Sequence, residues 1–103
     1  MKPPRQIRIF NRLWAIKYLD DSVPDSHNTW GWCEPATQTI FIFRNQKQDC
    51  LADTFLHEII HAIYDSLGMN VAEEENTVHR IATGLCTVWR DNPATFKWWQ
   101  SLL

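Results

Sequence analysis

The chain has 103 residues, a formal net charge of −2, 45% hydrophobic residues and 21% charged residues. These values describe one soluble globular domain, residues 1–103, with a real but modest core. They exclude the basic excess of a nucleic-acid binder, and no apolar run approaches the length of a membrane span. The opening residues, Met1-Lys2-Pro3-Pro4-Arg5-Gln6, are neither a signal-peptide core nor a lipidation motif, so the cytoplasm is the expected compartment. Cys33, Cys50 and Cys86 are odd in number and widely spaced. They read as free thiols rather than a cysteine zinc site. The six tryptophans are expected partly in the core and partly along a cleft.

Residues 7–9 alternate, Asn11-Arg12 interrupts, and residues 13–19 resume the alternation. This predicts two strands joined by a tight turn, with Asn11 at positive φ. Residues 20–29 are rich in Asp, Ser, Pro and Asn and predict a loop that carries His27. Residues 30–34 predict a short strand, Pro35-Ala36 a turn, and residues 37–43 another strand. Together they suggest a small antiparallel sheet of three or four strands. A helix is expected over 48–67, ending at Gly68, which suits the left-handed position after a helix. Glu73-Glu74-Glu75 suits the N-terminus of a second helix running to about Trp89 or Arg90. Its apolar face would be Val78, Ile81, Ala82, Leu85 and Trp89, with Ala82 small enough to let the two helices approach. Pro93 opens a last helix bearing Phe96, Trp98, Trp99, Leu102 and Leu103. Strands followed by helices give an α+β fold.

The first helix carries His57-Glu58-Ile59-Ile60-His61, an H-E-x-x-H motif. Residues four apart on a helix project from one face, so both imidazoles can reach one Zn²⁺ at about 2.0–2.1 Å. Glu58 is poorly placed as a ligand beside His57, but it can reach a water on the metal, the position of a general base. Around the motif, Leu56, Ile59, Ile60, Ile63 and Leu67 share one side. Asp53, His57, His61 and Asp65 share the other. No Lys or Arg occurs from Asp53 to Leu67, so most of this helix should be buried and its polar stripe should line a cleft.

A catalytic zinc site takes three protein ligands and leaves a fourth position open. Glu75 is the first choice for the third, one turn before His79. Glu74 and His79 remain alternatives, and an N-terminal helix cap is the plain reading of the acidic run. Asp65 lies too far from His57 to share a metal with both histidines. It suits a role in orienting one of them, as does His79. Asp53 and His27 read as solvated polar residues, and Cys86 and Gly84 as packing residues.

His57-Glu58-Ile59-Ile60-His61, followed by a helix bearing Glu75 and His79, resembles the gluzincins, whose third ligand is a glutamate on the next helix. Where thermolysin-like members carry an acidic residue four positions later, this chain carries His79. Size and order are similar to small ImmA/IrrE-like metallopeptidases of phages and mobile elements, which have a strand, here 37–43, before the motif helix. The resemblance implies a zinc-dependent peptidase with metal ligands His57, His61 and Glu75 and with Glu58 as the base that activates a zinc-bound water. Its partner would be a protein or peptide substrate, a transcriptional regulator being one candidate. The peptide would lie along strand 37–43 by strand addition, and Tyr64 or His27 is a candidate oxyanion donor. The competing reading is a metal-binding interaction module or an inactive peptidase relative. The intact Glu58 favours the enzyme, since a structural site needs no base.

Overall fold

The computed structural model describes residues 2–20, 30–68 and 74–103. Among these, strands β1 (Gln6–Ile9), β2 (Arg12–Leu19), β3 (Gly31–Glu34) and β4 (Thr39–Phe43) form one sheet. Helices α1 (Gln48–Ser66), α2 (Glu74–Asp91) and α3 (Pro93–Gln100) follow. The fold is α+β, in the expected order. His27 and Glu73 lie outside the described residues.

The strand order is β1-β2-β4-β3. β1 pairs antiparallel with β2, and β3 antiparallel with β4, but β2 pairs parallel with β4, Ile16 opposite Ile40 and Tyr18 opposite Ile42. The sheet is therefore mixed where an antiparallel one was expected. Period-2 alternation sets which side chains share a face and carries no strand direction. The same topology corrects the peptide track. β4 is bonded on both sides and has no edge to offer, whereas β3 is an edge strand. Local boundaries shift as well. A 3₁₀ turn spans Pro35–Thr37, Gln38 takes the left-handed conformation, and the strand starts at Thr39. In the β1–β2 turn the positive φ falls on Phe10, at 56°, rather than on Asn11.

Alternation turns Trp14, Ile16, Ile40 and Ile42 onto one face of the sheet, where they are almost wholly buried together with Ile9 and Ala62 of α1. Leu51, Phe55, Ile59 and Ile63 of α1 pack against this layer. The adjoining side of α1 carries Ile60, which packs with Val78 and Ala82 of α2, flanked by Leu56 and Tyr64. α1 is thus held between sheet and helix, which explains why its apolar residues cover so much of its circumference. Ala82 is fully buried, so its small side chain does sit at the helix contact. Ile81 and Leu67, expected on apolar faces, are 43% and 54% exposed. α1 ends as the sequence suggests, with Gly68 at φ 67° and its N–H donating to the Asp65 carbonyl at 3.0 Å.

One close approach fixes α1 relative to the sheet edge. Gly31 opens β3 beneath the motif helix. A Cβ there would lie 2.7 Å from the Phe41 carbonyl oxygen, 3.0 Å from Thr54 Cγ2 and 3.5 Å from Glu58 Cγ. The missing side chain lets the edge strand pass directly under Glu58.

Candidate metal centre

His57 and His61 point from one face of α1 towards the first turn of α2. Their Nε2 atoms are 3.1 Å apart. Glu75 meets both: Oε1 is 2.8 Å from His57 Nε2 and Oε2 is 2.9 Å from His61 Nε2. All three residues offer ligand atoms within 4.8 Å of one another, a group that could hold a metal ion. On a tetrahedral centre with bonds of about 2.0–2.1 Å, neighbouring ligand atoms stand about 3.3 Å apart. The two imidazole nitrogens, 3.1 Å apart, are already within a few tenths of an ångström of that spacing, and Glu75 touches each of them with a different oxygen. The histidine side chains are 14% exposed, whereas Glu75, 75% exposed, is free to adjust. Two imidazole nitrogens and one carboxylate oxygen form a donor set that suits a divalent cation such as zinc.

The residue beside Glu75 does different work. Glu74 Oε2 lies 2.7 Å from His61 Nδ1. An ionised carboxylate can only accept, so Nδ1–H donates to it. That fixes the His61 tautomer and leaves the Nε2 lone pair facing Glu75 and His57. Adjacent positions on a helix differ by about 100°, and here the two glutamates address the two nitrogens of one imidazole. Glu74 as the orienting partner is what the sequence reading lacked. The signal was present in the pair of acids at the first turn of α2. Asp65, expected to orient a histidine, is exposed and bonds neither ring. His79 stands with its ring centroid 6.1 Å from that of His57 and outside the ligand group. Tyr64 packs beside the α1–α2 core.

Glu58 is 4% exposed and lies on the floor of the cleft beside the metal-ligand group. Burial is the main cause that pushes its carboxyl up to about 7; Glu75 adds to the rise and His61 opposes it. Burial also lowers the His57 imidazole below its ordinary value, partly offset by Glu75, which favours the neutral, ligating form. The cleft encloses about 400 Å³, and its lining includes Trp30, Gly31, Asp53, His57, Glu58 and His79. Asp53, a member of the polar stripe expected along a cleft and read by itself as a solvated residue, borders the cleft and accepts a 2.8 Å hydrogen bond from the Thr83 hydroxyl, tying α1 to α2. Thr54 donates to Gln46 Oε1 at 3.0 Å, holding the approach to α1 against its second turn. Cys33, on the strand beneath, lies outside the ligand group; burial, reinforced by Glu58, Asp65, Glu74 and Glu34, pushes its thiol up to about 12. No helix of the described residues is long and apolar enough to cross a membrane. Comparison with protein-family models, with curated proteins and with solved structures finds no match to this chain.

Proposed function

We propose that this chain is a zinc-dependent peptidase in which His57, His61 and Glu75 hold the metal and Glu58 is the general base. The observation that carries the reading is the conjunction of the three converging ligand atoms with a buried carboxyl beside them in an open cleft. A structural site needs the first and not the second. The resemblance to gluzincins and to small ImmA/IrrE-like metallopeptidases, drawn from the motif, points the same way.

Zinc, when bound, supplies Lewis acidity that polarises a carbonyl and acidifies water. The rest of the chemistry belongs to the chain. Glu58 takes a proton from the attacking water and passes it to the leaving amine, which base catalysis makes faster by about 10²–10⁴-fold. Its carboxyl sits near neutrality, and a divalent cation among its neighbours would favour the carboxylate that this role requires. Glu74 keeps His61 in the ligating tautomer. The edge of β3 would take a peptide by strand addition, since Gly31 lets that strand run directly under Glu58. The substrate is then an extended segment of a protein, a transcriptional regulator among the candidates, and the cytoplasm the expected place of action.

The test is hydrolysis of an extended-peptide library by the zinc-loaded protein, alongside Glu58→Gln. Zinc-dependent cleavage that falls at least about 100-fold in Glu58→Gln, with metal retained, supports the assignment. Equal cleavage by both proteins refutes it. Stoichiometric zinc without cleavage of any peptide favours the interaction module.

A further inference from the structure

The cleft beside the metal-ligand group continues along α1. His57 and Glu58 line it, then Asp53 and Thr54 one turn earlier, then Asp49 and Cys50 one turn earlier again. Trp30, just before β3, also borders it and is 50% exposed. The Trp30 carbonyl accepts from the Phe43 N–H at 2.9 Å, which ties this rim to β4.

The charge along the cleft has one sign. Asp49, Asp53 and Glu58 bring carboxyl groups to it, and no Lys or Arg belongs to its lining. Asp53 is half-buried. One of its oxygens, Oδ2, takes the Thr83 hydroxyl, and no ion pair of the described residues involves it. Arg90 borders a neighbouring depression with Asp49 and Asp53, but it is paired with Asp91 at 3.1 Å. Glu58, only 4% exposed, faces the same cleft with no hydrogen bond to another described side chain. Sheltering a carboxylate from water costs free energy that a cation beside it offsets. Along this cleft the chain supplies the carboxylates and leaves the cation to a ligand.

We propose that the Asp53 stretch of the cleft is a subsite for a basic side chain, so that the substrate carries arginine or lysine adjacent to the scissile bond. The occupant is a substrate on the peptidase reading given above, while the charge it must carry is set by the cleft. The dimensions agree. Asp53 lies one helical turn, about 6 Å along the axis, from His57. Arginine and lysine carry their charge at the end of three or four methylenes and so bridge that distance. Asp53 Oδ1 remains to accept from the cationic head. The exposed ring of Trp30 offers a face on which a guanidinium can stack.

The experiment measures binding of two labelled, alanine-based peptides to the zinc-loaded Glu58→Gln chain by fluorescence anisotropy. One peptide has a central arginine, the other citrulline, its uncharged isostere. The arginine peptide should bind at least about tenfold more tightly, as hydrogen bonds between charged groups allow. Adding Asp53→Asn keeps an acceptor for the Thr83 hydroxyl and removes the charge. It should bring the two peptides to equal affinity, with zinc content and circular dichroism unchanged. Trp30→Leu should weaken the arginine peptide by about two- to fivefold. Equal affinities in the Glu58→Gln chain overturn the proposal, and so does binding of neither peptide. A preference for arginine that survives Asp53→Asn overturns it too. A wild-type chain that cleaves both peptides at equal rates overturns the subsite and leaves the peptidase reading standing. Asp53-dependent binding of the arginine peptide without cleavage upholds the subsite and counts against the peptidase.

Discussion

Glu74→Ala removes the acceptor of His61 Nδ1 and leaves all three metal-ligand side chains intact. The lost contact is 2.7 Å long, and the Glu74 side chain is 29% exposed, so the hydrogen bond is charge-assisted and mostly sheltered. Hydrogen bonds to charged groups contribute about 1.5–3 kcal/mol. Partial exposure places this one near the lower end, about 1.5 kcal/mol, or roughly tenfold in zinc Kd. Glu74→Gln keeps a carbonyl oxygen that can accept the same proton and loses only the charge, so its effect should be smaller, about threefold. Glu75→Gln weakens a proposed ligand and should exceed both. The assay is competition for zinc against a chromophoric chelator at fixed pH, with circular dichroism to establish that each variant is folded. Wild-type affinity in Glu74→Ala would show that Glu74 does not orient His61. A larger loss in Glu74→Gln than in Glu75→Gln would make Glu74 the ligand and rotate α2 by about 100° relative to the geometry described.

Chelation should lower the melting temperature without unfolding the chain at room temperature, because the layer around Trp14, Ile40 and Ile42 does not depend on the site. Zinc at 100–1,000 times its Kd adds about 2.7–4.1 kcal/mol, or roughly 10–20 °C for a domain of this size. An unchanged melting curve would contradict a metal that joins α1 to α2. Gly31→Ala should destabilise by about 1–3 kcal/mol, since the added Cβ meets the Phe41 carbonyl at 2.7 Å. In an unconstrained strand the same change would stabilise, so a raised midpoint in urea would disprove the close approach. Cys33 is half-buried on β3, and burial pushes its thiol up to about 12, so little of it is the reactive thiolate near neutral pH. Ellman's reagent should therefore modify exposed Cys50 rapidly in the native protein and spare Cys33 until denaturant is added. Equal rates at the two positions would show that Cys33 is open to solvent.

The helices were legible because their signals are local. The first was expected over 48–67 and occupies Gln48–Ser66. Two histidines four apart and a glutamate in the next first turn need only helical geometry and one helix contact to meet, and the structure brings His57, His61 and Glu75 into one group. The direction of β2 against β4 was not legible, because parallel and antiparallel strands share the same alternation. With it went the edge position of β3, and so the track of a bound peptide. Glu74 and Glu75 could not be told apart from composition, since both are acidic residues of one helical turn. The rotation of α2 about the Val78–Ala82 contact decides which faces Nε2 and which faces Nδ1. The same rotation leaves Ile81 exposed, although it belongs to the apolar arc of the wheel.

The proposed site has His57, His61 and Glu75 holding one catalytic zinc. The most direct test is the zinc content, by mass spectrometry after dialysis, of the wild-type chain and of the His57→Ala/His61→Ala double variant. About one zinc per wild-type chain is expected, and none in the folded double variant. A wild-type chain that retains no zinc, or a double variant that retains a full equivalent, would contradict it.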